Sequence, residues 1–318
     1  MSINEELDQA VWADLRSETS FPIDRPLLAH YTSVNVLEKI IAHNEMWFSN
    51  PLYMNDWEEL QYGMKIGAAE FRASTHISDA CDSREIHQKL VSEFDRLFLD
   101  FDTKHALDTY VLCFSEHLEG NEDGMLSMWR GYGAGGAGVA LVIDTSKMSS
   151  IEQSPLILDR VRYMSHVERA SWVDEKLFVL AGILRAHPKT DETLRCVAHY
   201  WIERLKLFSL FTKHNGFAEE CEWRVVYMSE RDKQKNLTGM LGYLITARGV
   251  EPKLKLRLSE IPGVVDSSIS IEALTYRIIL GPSISTVMAR TAICRMLELN
   301  GKESLVKHLV ASSIPYRP

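Results

Sequence analysis

The sequence lacks paired cysteines and closely spaced metal ligands. Its five cysteines are odd in number and widely spaced, and no C-x-x-C pair occurs. Neither a zinc ribbon nor a disulfide framework is therefore indicated. The eleven histidines include no H-E-x-x-H motif or other tight ligand spacing. We accordingly predict no metal site.

Long apolar runs are also missing. The longest uninterrupted one, Leu177 to Leu184, is far shorter than the roughly 18 residues that span a bilayer. The first 18 residues carry Glu5, Glu6 and Asp8, where a secretory signal would need a basic start and an apolar segment. The sequence therefore predicts a cytoplasmic protein with no membrane partner.

Positive charge is scarce relative to negative charge. Lysine and arginine total 35 against 44 aspartates and glutamates, which gives a formal charge of −9. A protein whose main task is to bind long stretches of phosphate backbone is usually basic, because its affinity comes from counterion release. Bulk nucleic-acid binding is therefore not expected, although a local basic groove stays open.

What is present is an ordinary globular composition, with 46% apolar and 25% charged residues. No internal repeat and no proline-rich or glycine-rich linker divides the chain. We predict a single domain over residues 1–318, with helical insertions at about 57–105 and 165–215.

Predicted strands and helices alternate irregularly. Apolar periodicity and capping residues indicate helices that begin after Ser33, after Ser83, near Ser165, near Asp191 and near Ser285, the fourth of these ending at Asn215-Gly216. The predicted strands are Leu27–Ser33, Met46–Ser49, Tyr110–Ser115, Gly138–Ile143, Glu220–Met228, Arg277–Leu280 and Val306–Val310. Because no regular βαβ order appears, the fold class is predicted as α+β.

The strand predicted over Glu220–Met228 carries an ordered set of charges. Side chains alternate between the two faces of a strand, so Glu220, Glu222 and Arg224 are expected on one face. The opposite face would carry Cys221 and Trp223. A solvated strand face explains this pattern as well as a functional row of carboxylates does.

A second polar group ends the first predicted strand, at His30-Tyr31-Thr32-Ser33. Cleavage of an N-glycosidic bond passes through an oxocarbenium-like sugar, which a fixed carboxylate stabilises. A histidine can hold a ribose hydroxyl, and an aromatic ring can stack on a planar leaving group. Together with Glu222, these residue types suit the cleavage of NAD between nicotinamide and ribose.

Several short motifs together resemble an uncharacterised bacterial family, over about residues 27 to 282. In chain order these motifs are His30-Tyr31-Thr32-Ser33, Met46-Trp47-Phe48-Ser49, Asn55-Asp56-x-x-Glu59, Cys113-Phe114-Ser115, Met128-Trp129-x-x-Tyr132, Gly138-Val139, Glu222-Trp223-Arg224 and Leu280-Gly281-Pro282.

The first segment and the late glutamate also resemble the ADP-ribosyltransferase superfamily. That resemblance implies a split mixed sheet at the core and NAD as the substrate. It implies that His30 binds the adenosine-side ribose, that Tyr31 or Tyr53 faces nicotinamide, and that Glu222 is the catalytic acid. Glu220 would then form an E-x-E pair that places a second acid near the acceptor. The S-T-S strand of the arginine-modifying branches has no convincing counterpart here, which leaves the acceptor open.

Further NAD-contacting candidates follow from the same motifs. They are Thr32, Ser33, Ser49, Asn55, Asp56, Trp129, Tyr132 and Arg224. For Trp129 and Tyr132, packing in the core is the main alternative, and for Asn55 and Asp56 it is helix capping.

The segment 131–136 fits the pattern G-x-G-x-x-G. A dinucleotide-binding turn needs a strand before it and a helix after it, but here the predicted order is reversed. We expect either a glycine-hinged loop over a pocket or a turn without a ligand role.

The leading hypothesis is an NAD-consuming enzyme, either an ADP-ribosyltransferase or an NAD glycohydrolase. Its expected partners are NAD and a protein or nucleic-acid acceptor. A toxin or phage-defence role would add an antitoxin or self-association. One alternative is a non-catalytic nucleotide-binding or sensing module. Another is an RNA-directed enzyme in which Lys213, Arg224, Arg160 and Arg162 line a basic groove.

Overall fold

The structure is a computed structural model that describes residues 2–18, 21–54, 57–149, 151, 154–246 and 249–316, the side chains of 16–18 and 57–62 excepted. Its α-helices are α1 (Ile3–Val11), α2 (Ala13–Glu18), α3 (Val34–His43), α4 (Trp57–Ala73), α5 (Thr75–Ala80), α6 (Arg84–Asp100), α7 (Leu126–Gly131), α8 (His166–Ala186), α9 (Asp191–Leu210), α10 (Ile271–Leu274) and α11 (Val287–Leu299). Its strands are β1 (Leu27–Thr32), β2 (Glu45–Ser49), β3 (Thr109–His117), β4 (Val139–Asp144), β5 (Leu156–Arg160), β6 (Arg162–Met164), β7 (Thr212–His214), β8 (Glu222–Met228), β9 (Leu241–Thr246), β10 (Gly249–Arg257), β11 (Thr275–Leu280) and β12 (Leu309–Ala311).

The residues group into two compact units, each assembled from separate segments of the chain. The helical unit comprises residues 1–19, 51–109 and 161–218, and the sheet unit comprises 20–50, 110–160 and 219–318. Both predicted helical insertions fall within the helical unit. The expectation of a single domain stays a prediction.

The sheet unit is built on one large mixed sheet. The main strand order is β12-β11-β4-β1-β3-β2-β10-β9, and β8 joins it by pairing with both β3 and β5. The β11–β12 pair is parallel, whereas β1 is antiparallel to both β3 and β4. The predicted α+β class is confirmed as an α+β protein with a large mixed sheet and several helices.

The main core of the sheet unit covers one face of this sheet. Leu28 of β1, Phe114 of β3 and Trp223 of β8 belong to it, together with the apolar side of α3. That helix begins as predicted, because the Oγ of Ser33 accepts a hydrogen bond from the Val36 amide. A smaller cluster that includes Tyr31 packs on the reverse face of β1.

Aromatic stacking and helix caps organise the helical unit. The rings of Trp172 and Phe208 on α8 and α9 stack with centroids 3.8 Å apart. Helix α8 begins with a capping box, in which Ser165 and Glu168 each bond the other's backbone amide. The predicted start of this helix is confirmed.

Helix α9 is shorter than predicted. It ends at Leu210, and the next residues form β7 instead of continuing to Asn215-Gly216. The Phe211 carbonyl accepts a hydrogen bond from the Arg162 amide, and β7 pairs in parallel with β6. Backbone groups after Leu210 therefore form hydrogen bonds with β6 instead of continuing the helix.

Strands β9 and β10 were not predicted from the sequence. The run from Lys253 to Arg257 alternates charged and apolar residues, which is a strand signal. Within β10, Leu254 and Leu256 are buried in the main core.

None of the helices in the described ranges combines the length and the apolar character needed to cross a bilayer.

One carboxylate joins α2 to α8 and α9 in the helical unit. Asp14 accepts hydrogen bonds from Arg204 at 2.6 Å and from the Trp172 ring nitrogen at 3.2 Å, and the Lys176 ammonium lies 3.2 Å away. Burial by itself would raise the pKa of Asp14. These partners outweigh burial and lower its pKa to about 2.

We predict that Asp14→Asn lowers the free energy of unfolding by about 1–2 kcal/mol at neutral pH, after allowance for solvent screening. The folded-state pKa lies below the unfolded value, so this stabilisation is present above about pH 4 and is lost as the pH falls towards 2. Urea unfolding of wild type and variant across this range measures the difference. A difference in unfolding free energy between wild type and variant that stays constant as the pH falls would contradict the lowered pKa of Asp14.

Candidate functional site

The sheet divides at β3, next to His30. The pairing of β1 with β3 runs from Leu27↔His117 to Ala29↔Ser115 and then stops, while β2 meets β3 further along, at Ser49↔Val111. Where β1 leaves β3, the imidazole Nδ1 of His30 lies 3.0 Å from the Cys113 carbonyl oxygen. At this fork the partner of the Cys113 carbonyl on β3 is therefore the His30 side chain, and not a backbone amide of β1.

This environment favours the neutral form of the His30 imidazole. Burial disfavours the imidazolium and lowers the pKa of His30, and the Cys113 carbonyl raises it by a smaller amount. In the neutral ring, Nδ1 carries the proton that is donated to the carbonyl, so Nε2 keeps its lone pair. Such a ring can accept a hydrogen bond from a hydroxyl.

Strand β3 lies between His30 and Glu222. Ser115 pairs with β1, whereas the amide of the next residue, Glu116, bonds the Cys221 carbonyl beside β8. Because successive residues of an antiparallel strand direct their amides to opposite edges, β1 and β8 flank β3 and are about 10 Å apart.

The two side chains also start from opposite faces of the sheet. His30 follows the core residue Leu28 by two positions, and its ring meets the edge of Phe114 with centroids 5.8 Å apart. Glu222 alternates with the core residue Trp223 and therefore leaves the reverse face. The arrangement gives no support to the expectation that both residues contact one sugar.

Glu222 is held by a two-point ion pair on that reverse face. Its Oε1 accepts from Nε of Arg224 at 2.7 Å, and its Oε2 accepts from Nη2 of the same residue at 3.0 Å. Only 5% of Glu222 and 6% of Arg224 is exposed. This burial argues against the alternative of a solvated strand face, because both faces of β8 are buried here.

Glu220 was expected on the same strand face but precedes β8. Cys221 adopts a left-handed backbone with φ of 44°, which interrupts the extended chain between the two glutamates. The Glu220 carboxylate accepts a hydrogen bond from the Tyr132 hydroxyl at 2.9 Å. The Glu220 carbonyl accepts another from the Ser115 hydroxyl at 2.7 Å. These contacts place Glu220 beside β3 independently of strand alternation.

Of the three candidate aromatics Tyr31, Trp129 and Tyr132, only Tyr132 is accessible, with 40% of its surface exposed. Tyr31 and Trp129 are instead buried and meet edge to face, with centroids 4.8 Å apart. The Tyr31 hydroxyl accepts from the Met125 amide, and burial raises its pKa to about 12. Tyr31 and Trp129 therefore occupy core positions, and of the two tyrosines expected to face nicotinamide, Tyr31 or Tyr53, Tyr53 is the accessible one. For Trp129 this is the core alternative that the sequence also allowed.

A further polar group on β2 and β10 includes residues that sequence reasoning missed. The Lys253 ammonium donates to the Ser49 hydroxyl at 2.8 Å and lies 3.2 Å from the Glu251 carboxylate. Lys253 and Glu251 are both buried. The alternation that identifies β10 as a strand would also have placed these two side chains on one face.

The remaining candidates are dispersed. Ser33 caps α3, Thr32 is buried at the end of β1, and Tyr53 lies in the helical unit with 39% of its surface exposed. Asn55 and Asp56 lie outside the described residues.

The basic groove expected for an RNA-directed enzyme is not supported. Lys213 and Arg224 are 1% and 6% exposed, so neither presents a cation to solvent. The Arg160 guanidinium lies 3.1 Å from the Glu116 carboxylate, which offsets its charge. Over the described stretches of chain, no group of three or more His, Cys, Asp or Glu side chains is placed to hold a metal ion.

The glycine-rich segment is packed as a turn between α7 and β4. The Gly138 amide bonds the Gly133 carbonyl, and the Gly138 carbonyl accepts from the Gly281 amide. A Cβ atom on Gly138 would lie 2.2 Å from the Thr32 carbonyl oxygen, so close backbone approach requires glycine there. This packing favours the turn over the loop hinged above a pocket.

One protein family is similar to a part of the chain that includes several of these site residues. The sequence profile of a family described as "Protein of unknown function (DUF2971)" matches residues 128–225. The chain is similar to this family over a stretch that contains Tyr132, Glu220, Glu222 and Arg224 but not His30. No curated protein and no solved structure shows a significant match to the chain.

We predict that His30 is neutral at pH 7 as the Nδ1–H tautomer and titrates below its ordinary pKa of 6.5. Because the folded-state pKa is lowered, His30 weakens folding as the pH falls below about 6.5. Long-range proton–nitrogen NMR spectra recorded against pH report the tautomer and the midpoint. A midpoint at or above 6.5 would disprove this description.

We also predict that Glu222→Ala costs about 3 kcal/mol of unfolding free energy, because it leaves the Arg224 charge buried. Glu222→Gln also removes the compensating charge but keeps an acceptor for the guanidinium, so it should cost less than Glu222→Ala, about 2 kcal/mol. The exposed Glu119→Ala is the matched control and should stay within about 0.5 kcal/mol of wild type. Denaturant unfolding that finds Glu222→Ala as stable as Glu119→Ala would refute the buried ion pair.

Proposed function

We propose that the chain is an NAD-consuming enzyme of ADP-ribosyltransferase-like fold, which transfers ADP-ribose or hydrolyses NAD. The observation that carries the proposal is the arrangement on the reverse face of β3 and β8. There the Glu222 carboxylate is fixed by Arg224, and the Glu220 carboxylate is bonded to the accessible Tyr132.

A fixed carboxylate suits this chemistry. When the bond between nicotinamide and ribose breaks, positive charge develops on the sugar as the leaving group departs. A charge that is already oriented stabilises that cation without reorganising during the reaction. The two bonds from Arg224 supply that orientation for Glu222.

Tyr132 and Glu220 supply a candidate second half of the site. The exposed ring of Tyr132 offers a face on which a planar group can stack. Its hydroxyl bond fixes Glu220, which in the proposed E-x-E arrangement orients the acceptor or a water molecule.

His30 has a different role in this proposal from the one expected at first. Its ring occupies the fork beside β3, and its side chain starts from the face opposite Glu222. We therefore assign His30 as a positioning residue, whose bond to the Cys113 carbonyl stabilises the point where β1 separates from β3.

The test is release of nicotinamide from labelled NAD, with protein and nucleic-acid acceptors supplied. Glu222→Gln should lower kcat by about a hundredfold or more, because the fixed charge is lost. Glu220→Gln should reduce transfer to the acceptor more than it reduces nicotinamide release. Glu119→Gln, at an exposed glutamate that follows β3, is the control and should match wild type.

Two results would remove the enzyme claim. One is no nicotinamide release by the wild-type protein with any acceptor. The other is equal release by wild type and a folded Glu222→Gln variant.

A second candidate is a non-catalytic module that binds the same nucleotide. It is favoured by one observation, that both oxygens of Glu222 are already bonded to Arg224. This candidate predicts calorimetric binding of NAD without release of nicotinamide, and an unchanged Kd in Glu222→Gln.

A further inference from the structure

Strand β9 lies at the open end of the main sheet and presents apolar side chains to solvent. It pairs with β10 and ends the strand order on this side. Leu241, Tyr243 and Ile245 alternate along one face and are 36%, 60% and 73% exposed. They extend the core side of the sheet, since Leu241 stands opposite the core residue Leu254.

The backbone of the same three residues faces the open edge. The Leu258 amide bonds the Asn44 carbonyl on the β2 side, so the even-numbered residues of β10 point towards β2. The odd-numbered residues of β10 then bond β9. Tyr243 stands opposite Pro252, an even position with no N–H, and therefore directs its own N–H and C=O away from β10.

Within β9, three features that usually prevent strand pairing, namely charge, proline and a bulge, are absent. The six residues of β9, Leu-Gly-Tyr-Leu-Ile-Thr, include no charge and no proline. Its register with β10 is continuous, without a bulge. Edges of soluble sheets normally carry lysine, proline or a bulge for this purpose.

We propose that β9 is a homodimerisation edge, at which it pairs antiparallel with β9 of a second copy of the chain. A two-fold axis normal to the sheet at Tyr243 brings each Tyr243 opposite its copy and Leu241 opposite Ile245 of the second copy. All three positions have outward backbone groups, so three bonded residue pairs form, with about six hydrogen bonds.

The register of β9 fits a second copy of the same strand as its partner. In an antiparallel pair, directly opposed residues share a face, and this two-fold axis keeps the apolar residues of both strands on one face. Leu241, Tyr243 and Ile245 of each copy then cover one another. When β9 pairs with β9 of a second copy, its outward backbone groups are hydrogen-bonded and its apolar side chains are buried against one another.

The first test is the mass in solution, by sedimentation equilibrium at tens of micromolar chain. Wild type should have twice the 36.3 kDa mass of the chain. Tyr243→Lys places two like charges face to face at the axis and should yield monomer. Val287→Lys, at an 83% exposed position on α11, is the matched control and should stay dimeric.

A cross-link tests the register itself. In a Cys221→Ser background, which removes an exposed thiol, Tyr243→Cys should form a disulfide between copies under mild oxidation. Opposed residues of a bonded pair have Cα atoms about 5.5 Å apart, within disulfide range. Val250→Cys, exposed on the next strand of the hairpin, should not cross-link.

Three results would overturn the proposal. They are a monomeric wild type, a dimer that Tyr243→Lys leaves intact, and cross-linking of Val250→Cys as efficient as that of Tyr243→Cys.

Discussion

The ion pair between Glu222 and Arg224 is the interaction on which the candidate site depends. A carboxylate that is 5% exposed is costly to bury unless a hydrogen-bonded cation accompanies it. Arg224 meets both oxygens, so the pair keeps a negative charge inside the sheet unit in one orientation. This fixed charge is the feature that our proposed glycosyl chemistry would use.

Much of the local structure could be predicted from the sequence. The Ser33 and Ser165 caps mark the starts of α3 and α8, because side-chain oxygens at these positions satisfy the first amides of a helix. The strands β1 to β4 follow from their apolar and β-branched composition. These features depend on residues close together in the chain.

The site was harder to predict because it depends on long-range geometry. Strand alternation alone put Glu220 and Glu222 on one face, but the left-handed backbone at Cys221 breaks that alternation. The fork at β3 arises from where β1 and β2 pair with it, and no local pattern records this. The same holds for the bond between Tyr132 and Glu220, which are 88 positions apart.

Two regions of the sheet unit serve separate roles in this account. The proposed chemistry lies on β3 and β8, whereas the proposed pairing edge is β9, at the end of the strand order. The proposed chemistry depends on side chains on one face of the sheet. The proposed pairing depends on the outward backbone groups of β9. The two proposals therefore rest on different observations.

The location of the ligand tests the central claim most directly. NMR spectra of protein labelled at its arginine side chains, recorded while ADP-ribose is added, report on the Arg224 Nε–H that holds Glu222. We expect this resonance to shift to saturation as ADP-ribose is added, and we expect Glu222→Gln to change the size of that ligand-induced shift. Saturable changes confined to resonances distant from Arg224, Glu220 and Tyr132 would contradict it.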